Sequence, residues 1–282
     1  MPITDREKSE VDAANLSGKQ PVVFIHGLWL LPNSWDAWRS HFEDLGYSTL
    51  APGWPDDPDT IEQALANPDA FAGKSINDIC GHLAEVVKGL NRTPIIIGHS
   101  FGGLLTLKLA GLGYATASVA ISPAPHRGVL PLPIAALKSA FPVLRNPANK
   151  DRAIRLTYDQ FRFGFANELS EEEAKALYDK YSVAGAGKVL FQAAFANINP
   201  ATEATVVKDH PDRGPMLIIS ADNDHTVPWA IANASYKREA KNPAPTEIVK
   251  IPGRGHSLTI DSGWREVADA AAAFLARHDL KP

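Results

Sequence analysis

The sequence predicts an α/β fold: a mostly parallel sheet with helices on both faces and a helical segment inserted between its later strands. Three observations carry this. Short, near-continuous apolar runs, as expected of strands buried on both faces, alternate with amphipathic stretches of helical spacing. The run Pro94-Ile95-Ile96-Ile97 passes through Gly98-His99-Ser100-Phe101-Gly102 straight into an apolar helical pattern, which reads as strand, sharp turn and helix with a serine at the apex. Between residues 123 and 209 the alternation stops and no convincing strand appears.

Taken in order, residues 1–20 carry few apolar side chains and no clear period, and are expected to be a poorly ordered lead-in. Pro21-Val22-Val23-Phe24-Ile25 is a short buried strand that ends at His26-Gly27-Leu28-Trp29. Trp35, Trp38, Phe42 and Leu45 stand at helical spacing behind the candidate caps Asn33 and Ser34, so a helix is expected over 35–45, stopped by Gly46. A strand over 47–51 follows, and the prolines at 52, 55 and 58 make the next stretch a rigid loop. Ile76, Ile79, Leu83, Val86, Val87 and Leu90 share one helical face over 76–90, leading to the central strand over 95–97. The elbow helix covers 104–110 and a further strand 117–121. The inserted stretch opens with a connection containing Pro123, Pro125, Pro131, Pro133, Pro142 and Pro147, then shows helical segments over 151–166, 171–182 and 188–197. Alternation resumes with a strand over 216–219, a helix over 229–240, a strand over 246–251 and an alanine-rich helix over 264–277. The expected plan is a lead-in (1–20), a core from 21–122 and 210–282, and a helical cap from 123–209.

A chain of 282 residues, 45% hydrophobic and 21% charged, suits one large domain with an ample core. Its net charge of −4 offers no basic footprint for nucleic acid or an acidic membrane. A single cysteine, Cys80, excludes an intrachain disulfide and is compatible with a reducing compartment. Residues 1–20 lack the apolar core of a signal peptide, and no apolar run approaches the ~20 residues of a membrane span, so a cytoplasmic protein is expected. His41, His82, His126, His210 and His278 fall in no metal-ligand spacing, and no metal or cofactor is expected. Gly185-Ala186-Gly187-Lys188 lacks the full phosphate-loop pattern and reads as a turn between helices.

A serine hydroxyl is a weak nucleophile that needs a base within hydrogen-bond reach, itself oriented by a carboxylate. In a parallel α/β sheet such partners belong in loops beyond the carboxyl ends of strands. Two loops answer: Ser220-Ala221-Asp222-Asn223-Asp224-His225-Thr226-Val227-Pro228, and Pro252-Gly253-Arg254-Gly255-His256-Ser257-Leu258. The chain order is then serine, acid, histidine.

On these residues the chain, from Pro21 onward, resembles the α/β-hydrolase superfamily, in its serine esterase and lipase branch with a helical cap. Four stretches carry the resemblance: His26-Gly27, Gly98-His99-Ser100-Phe101-Gly102-Gly103, Asp224 with Val227-Pro228, and Gly255-His256. It implies Ser100 as nucleophile, His256 as general base and then acid, and Asp224 as the group holding the imidazole tautomer. It also implies an oxyanion hole from the backbone N–H of Phe101 and of Leu28, with Trp29 as the alternative to Leu28. Asp224 is favoured over Asp222 because the family's acid stands three residues before a Val-Pro that opens the next helix. Ala221 departs from the glycine many relatives carry there, and no strand pair is evident before Val22, so a shortened sheet is expected. His26 reads as a packing residue of the oxyanion loop, and His99 as packed beside the elbow. Trp29, Trp35 and Trp54 suit either an acyl pocket or the core. Of the aromatic group Tyr158, Phe161, Phe163, Phe165, Phe191 and Phe195, part is expected to dock the cap on the core and part to roof an apolar cleft. Trp29, His99, Tyr158 and Phe161 are thus the substrate-binding candidates.

The expected activity is cofactor-free hydrolysis of a small hydrophobic carboxylic ester or lactone. A serine nucleophile argues against the dehalogenase and epoxide-hydrolase branches, which use aspartate. Three alternatives stay open: haloperoxidase or perhydrolase chemistry, with hydrogen peroxide replacing water; amide or carbon–carbon bond hydrolysis; and a ligand-binding receptor that kept the fold. The sequence carries no signal for oligomeric state.

Overall fold

The structure, a computed structural model, describes residues 2–282, and it begins with a helix in place of the expected loose lead-in. Helix α1 (Asp5–Ser17) is closed at its start by a reciprocal capping box between Thr4 and Glu7 and at its end by Gly18 in the left-handed conformation. Val11 and Ala14 are buried on the body, and the buried Glu7 carboxylate meets His82 Nε2 at 2.9 Å and accepts from the Gly53 N–H. The docked face is largely polar, which is why no apolar period betrayed it.

The first half of the sheet follows. Strand β1 (Pro21–Ile25) leads through a short 3₁₀ turn into α2 (Asp36–Asp44), and β2 (Ser48–Leu50) precedes the small helix α3 (Ile61–Ala66). Helix α4 (Ile76–Lys88), β3 (Ile95–His99), α5 (Phe101–Gly111) and β4 (Ala117–Ile121) come next. The insertion holds α6 (Ile134–Leu144), β5 (Ala153–Ile154), α7 (Tyr158–Gly164), α8 (Glu171–Tyr181), β6 (Gly185–Ala186) and α9 (Gly187–Ala194). The chain closes with β7 (Met216–Ala221), α10 (Trp229–Glu239), β8 (Thr246–Ile251) and α11 (Trp264–Arg277).

Two expectations for the insertion need correction. The segment read as a proline-rich connection contains α6, which carries Pro142 inside its last turn and so forgoes one N–H of the ladder there. The segment also contains strands: β5 and β6 pair antiparallel through Ala153–Ala186 and Ile154–Gly185, too short to show any alternation in the sequence. Of the remaining helices, α7 is much shorter than the expected 151–166.

The main sheet is six-stranded and parallel throughout, in the order β2-β1-β3-β4-β7-β8, and among the described residues no strand pairs outside β2, in line with the expected shortened sheet. Successive residues of each strand serve opposite faces. Val23, Ile25, Ile96, Ala120 and Ile218 pack with Leu83, Val86, Leu104 and Ala232 from α4, α5 and α10. Val22, Phe24, Ile95, Ile97 and Val119 pack with Trp38, Phe42, Val267, Ala271 and Phe274 from α2 and α11. Because β2 and β3 flank β1 on opposite sides, the connections diverge between β1 and β3, and the crevice beyond the carboxyl ends of those two strands is where such sheets hold ligands. Among the described residues, no helix is long and apolar enough to cross a membrane.

One buried charge pair in the fold has a measurable consequence. Glu239, at the end of α10, is fully buried with Arg213 Nη1 3.7 Å from its Oε2. Burial pushes this carboxyl up to about 7 despite the opposing pull of Arg213. The folded chain therefore holds a proton that the unfolded chain releases near 4.5, and stability is lost as pH rises through about 7. Glu239→Gln is expected to flatten this dependence, so that its melting temperature gains on the parent between pH 5 and pH 8. Parallel melting curves for the two proteins across that range would contradict the assignment.

Candidate active site

The elbow at the end of β3 puts Ser100 at φ +58°, in the left-handed region that a side-chain-bearing residue rarely adopts. The strain is clamped from both sides: the Ser100 N–H donates to the Ile121 carbonyl (2.9 Å), and its own carbonyl accepts from the N–H groups of Leu104 and Ala124. The turn is tight enough that two positions admit only glycine. A Cβ on Gly98 would lie 2.2 Å from the Gly102 carbonyl oxygen, and one on Gly102 would lie 2.1 Å from that of Ile25.

His256 follows β8 and Asp224 follows β7, and the two meet with His256 Nδ1 2.7 Å from Asp224 Oδ2. The other carboxylate oxygen accepts from the N–H groups of Thr226 and Val227, both at 2.7 Å, so the carboxylate is fixed in direction. Burial by itself would raise the Asp224 carboxyl, but His256 beside it and the Val227 N–H outweigh this and hold it below its ordinary value. Asp222 lies elsewhere: it is partly exposed and pairs with Lys250 at 2.8 Å. The His256 ring is held between His99, at a centroid distance of 4.6 Å, and the edge-on ring of Phe165 at 4.8 Å. Burial, reinforced by the neighbouring His256, pushes the His99 imidazole well below its usual range, so it stands beside His256 as a neutral spacer. With Nδ1 turned to Asp224, Nε2 is the His256 ring nitrogen left to take a proton, and this buried atom has no partner among the described residues. An oriented base of this kind suits proton removal from a hydroxyl.

Ser100 and Phe101 lie at the base of a cavity of about 200 Å³. Its walls are apolar: Trp29 from the loop after β1, Leu132, Leu137, Ala140 and Leu144 from α6 and its approach, Leu190 and Ala193 from α9, and Val227 and Ile231 around the start of α10. The polar groups of the wall are largely occupied. Ser139 and Thr226 share a hydrogen bond at 2.8 Å, and Asn197 accepts from the Gly128 N–H and donates to the Val129 carbonyl. Among the described residues, no three His, Cys, Asp or Glu side chains converge as a metal site would need.

The sequence profile of the alpha/beta hydrolase family matches residues 22–270, nearly the whole chain. The chain belongs to this family. Similar solved structures include the monoacylglycerol lipase of Paleococcus ferrophilus, 18% identical over 92% of this hydrolase and 94% of that protein, with a TM-score of 0.64. They also include a pyrethroid hydrolase from Sphingobium faniae JZ-2, 18% identical over 90% and 96% with a TM-score of 0.61. A third, described as a non-heme bromoperoxidase of Mycobacterium tuberculosis H37Rv, is 16% identical over 92% of each chain with a TM-score of 0.64. At these identities the likeness is one of fold. No curated protein matches the hydrolase in sequence.

The loop after β1 in this hydrolase is held by a buried polar chain. His26 Nε2 lies 3.1 Å from Asp57 Oδ2, the other Asp57 oxygen lies 3.1 Å from Lys74 Nζ, and the His26 ring stacks on Trp54 at 5.2 Å. Trp29 takes a positive φ of 69°; its carbonyl accepts from the Val183 N–H and its indole donates to the Ile154 carbonyl, so the insertion grips this loop directly. Among the described residues, neither the Leu28 nor the Trp29 N–H is used by a turn or a strand. The Phe101 N–H is one of the free donors at the start of α5.

Of the substrate-binding candidates, Trp29 lines the cavity, while His99 lies behind, against His256. Tyr158 and Phe161 are not in the wall: the Tyr158 hydroxyl bonds Glu171, and Phe161 stacks on Phe165 at 5.2 Å. Trp35 is core, stacked on Phe24, and Trp54 is buried on His26. The wall residues of α6 and α9 went unnoticed in the sequence. On α6 the signal was the helical spacing of Leu137, Ala140 and Leu144, masked by the surrounding prolines.

Proposed function

We propose that this hydrolase cleaves a carboxylic ester or lactone with a hydrophobic body through an acyl-enzyme on Ser100, beneath a cap formed by α6–α9. The observation that carries the reading is a strained serine at the base of an apolar cavity in a chain whose Asp224–His256 pair leaves Nε2 unoccupied. In this scheme Ser100 Oγ attacks the carbonyl carbon while its proton passes to His256 Nε2. The N–H groups of Phe101 and Leu28 receive the oxyanion. The intermediate collapses as His256 returns the proton to the leaving alkoxide. Water then adds to the acyl group with His256 again as base, releasing the acid and restoring Ser100. Asp224 stays ionised throughout and holds the Nδ1 proton. The scheme needs a Ser100–His256 hydrogen bond, and such bonds commonly tighten only on binding substrate.

The test is turnover of p-nitrophenyl esters from acetate to decanoate, with a simple aromatic lactone alongside. Hydrolysis with an optimum beyond acetate is expected, because the apolar wall rewards each added methylene until the cavity is full. No turnover across the whole panel would defeat the proposal. A peroxide-containing arm separates the perhydrolase alternative, since the same acyl-enzyme attacked by hydrogen peroxide releases a peracid. The two acidic residues differ in their expected effects. Asp224→Asn should lower kcat on the order of 10⁴-fold, whereas Asp222→Asn, exposed and bound to Lys250, should leave it nearly unchanged. Comparable losses in both variants would remove Asp224 from its assigned role.

A further inference from the structure

The cavity wall does not stop at the protein surface. Leu132 and Leu137 line the cavity yet are 69% and 49% exposed, and they continue into side chains that face mostly solvent: Leu130 is 70% exposed, Ile134 83% and Phe141 60%. Leu130, Leu132 and Ile134 alternate along an irregular stretch, and Ile134, Leu137 and Phe141 recur at helical spacing on α6, so one apolar ridge runs from residue 130 to 141. Pro131 and Pro133 stiffen its first part and remove two backbone N–H groups that would otherwise need water. Asn197, bonded to Gly128 and Val129, brings Ile198, 75% exposed, to the same edge.

Along the chain, the segment that carries this ridge is one-sided in charge. Arg127, Lys138, Arg145, Lys150, Arg152 and Arg155 are all exposed, and Asp151 is the single acid between residues 127 and 155. None of the six basic residues forms an ion pair among the described residues. The net charge of −4 thus averages over a segment that is locally basic, and the expectation of no acidic membrane partner does not extend to it.

We propose that the ridge over residues 130–141, with its surrounding lysines and arginines, docks this hydrolase on an anionic lipid surface, and that the ester entering the cleft comes from a lipid held there. Exposed apolar side chains flanked along the chain by cations without an ion-pair partner match the two forces that hold a protein at an anionic lipid interface. The continuity of ridge and cavity wall gives an acyl chain an apolar path to Ser100 without crossing water. The docking half stands on the surface alone; the delivery half rests on the proposed esterase reading.

The full chain carrying Ser100→Ala, which leaves vesicle lipid intact, is mixed with phosphatidylcholine vesicles and with vesicles of phosphatidylcholine and phosphatidylglycerol, and co-sedimentation is measured. Partitioning onto the anionic vesicles, weakened by salt, is expected. Adding Leu130→Ser, Ile134→Ser and Phe141→Ser together should weaken it on the order of 100-fold, and adding Lys138→Glu with Arg145→Glu on the order of tenfold. With Ser100 restored, both sets should cleave a soluble short-chain ester at the parent rate, showing that the fold and cleft are intact. No partitioning onto either vesicle, or a triple variant that binds like its parent, overturns the docking. So does a dimer in analytical ultracentrifugation that the triple variant dissociates, since a second copy would then be the occupant of the ridge. Vesicle binding without cleavage of any ester by the Ser100 protein supports docking and overturns delivery alone.

Discussion

Ser100→Ala is expected to lower turnover of any ester this hydrolase accepts by on the order of 10⁴- to 10⁶-fold, while leaving its melting temperature close to the parent's. The hydroxyl is the only atom lost. The backbone at φ +58° is held by Ile121, Leu104 and Ala124, and alanine meets the same strain that serine does. Whatever rate survives comes from donors that polarise the carbonyl and from binding alone. Single-turnover measurements on the parent should show a burst of alcohol release ahead of acid release if an acyl-enzyme accumulates. Residual activity within tenfold of the parent would mean that Ser100 is not the nucleophile, and the site would have to be sought elsewhere in the chain.

Gly102→Ala is expected to be the most damaging single-methyl change at the elbow. Its Cβ would stand 2.1 Å from the Ile25 carbonyl oxygen and 2.6 Å from that of His26, both backbone atoms with no freedom to turn aside. Strand β1 and helix α5 would have to separate, at a cost of about 3 kcal/mol or more and a fall in melting temperature of roughly 10 °C. The same shift moves the Phe101 N–H relative to Leu28, so activity should fall even in the fraction that folds. Gly81→Ala provides the contrast. That glycine lies within α4 with open space where the methyl would go, and alanine there should stabilise by about 0.5–1 kcal/mol. If both substitutions were tolerated alike, the close approach of α5 to β1 would not be a constraint on the elbow.

The parts legible from the sequence were those written in local pattern. The strands at 21–25, 95–99, 117–121 and 216–221 are buried on both faces, so each is a continuous apolar run, and the helices at 76–88 and 264–277 carry the one-sided stripe their docking requires. Ser100, Asp224 and His256 could be nominated for the same reason: each follows a recognisable strand, and a parallel sheet delivers all such loops to one end. Elements whose stabilising partners lie far along the chain were misread. Helix α1 is held by its own caps and by Glu7 reaching His82, neither of which leaves an apolar period. Helix α6 lies among prolines that normally end helices, and its exposed Ile134 and Phe141 resemble a buried face in the sequence although they face solvent.

By itself, then, the sequence determined the fold class, the order of the sheet-forming elements and the serine at the elbow, because backbone conformation answers to residues within a few positions of one another. Only the tertiary structure decided that Asp224 and not Asp222 meets His256, that Tyr158 and Phe161 stand outside the cavity, and that α6 and α9 form its wall. Those outcomes depend on distances between segments separated by tens to more than a hundred residues. Such distances are set by how the whole core packs, and no local spacing encodes them.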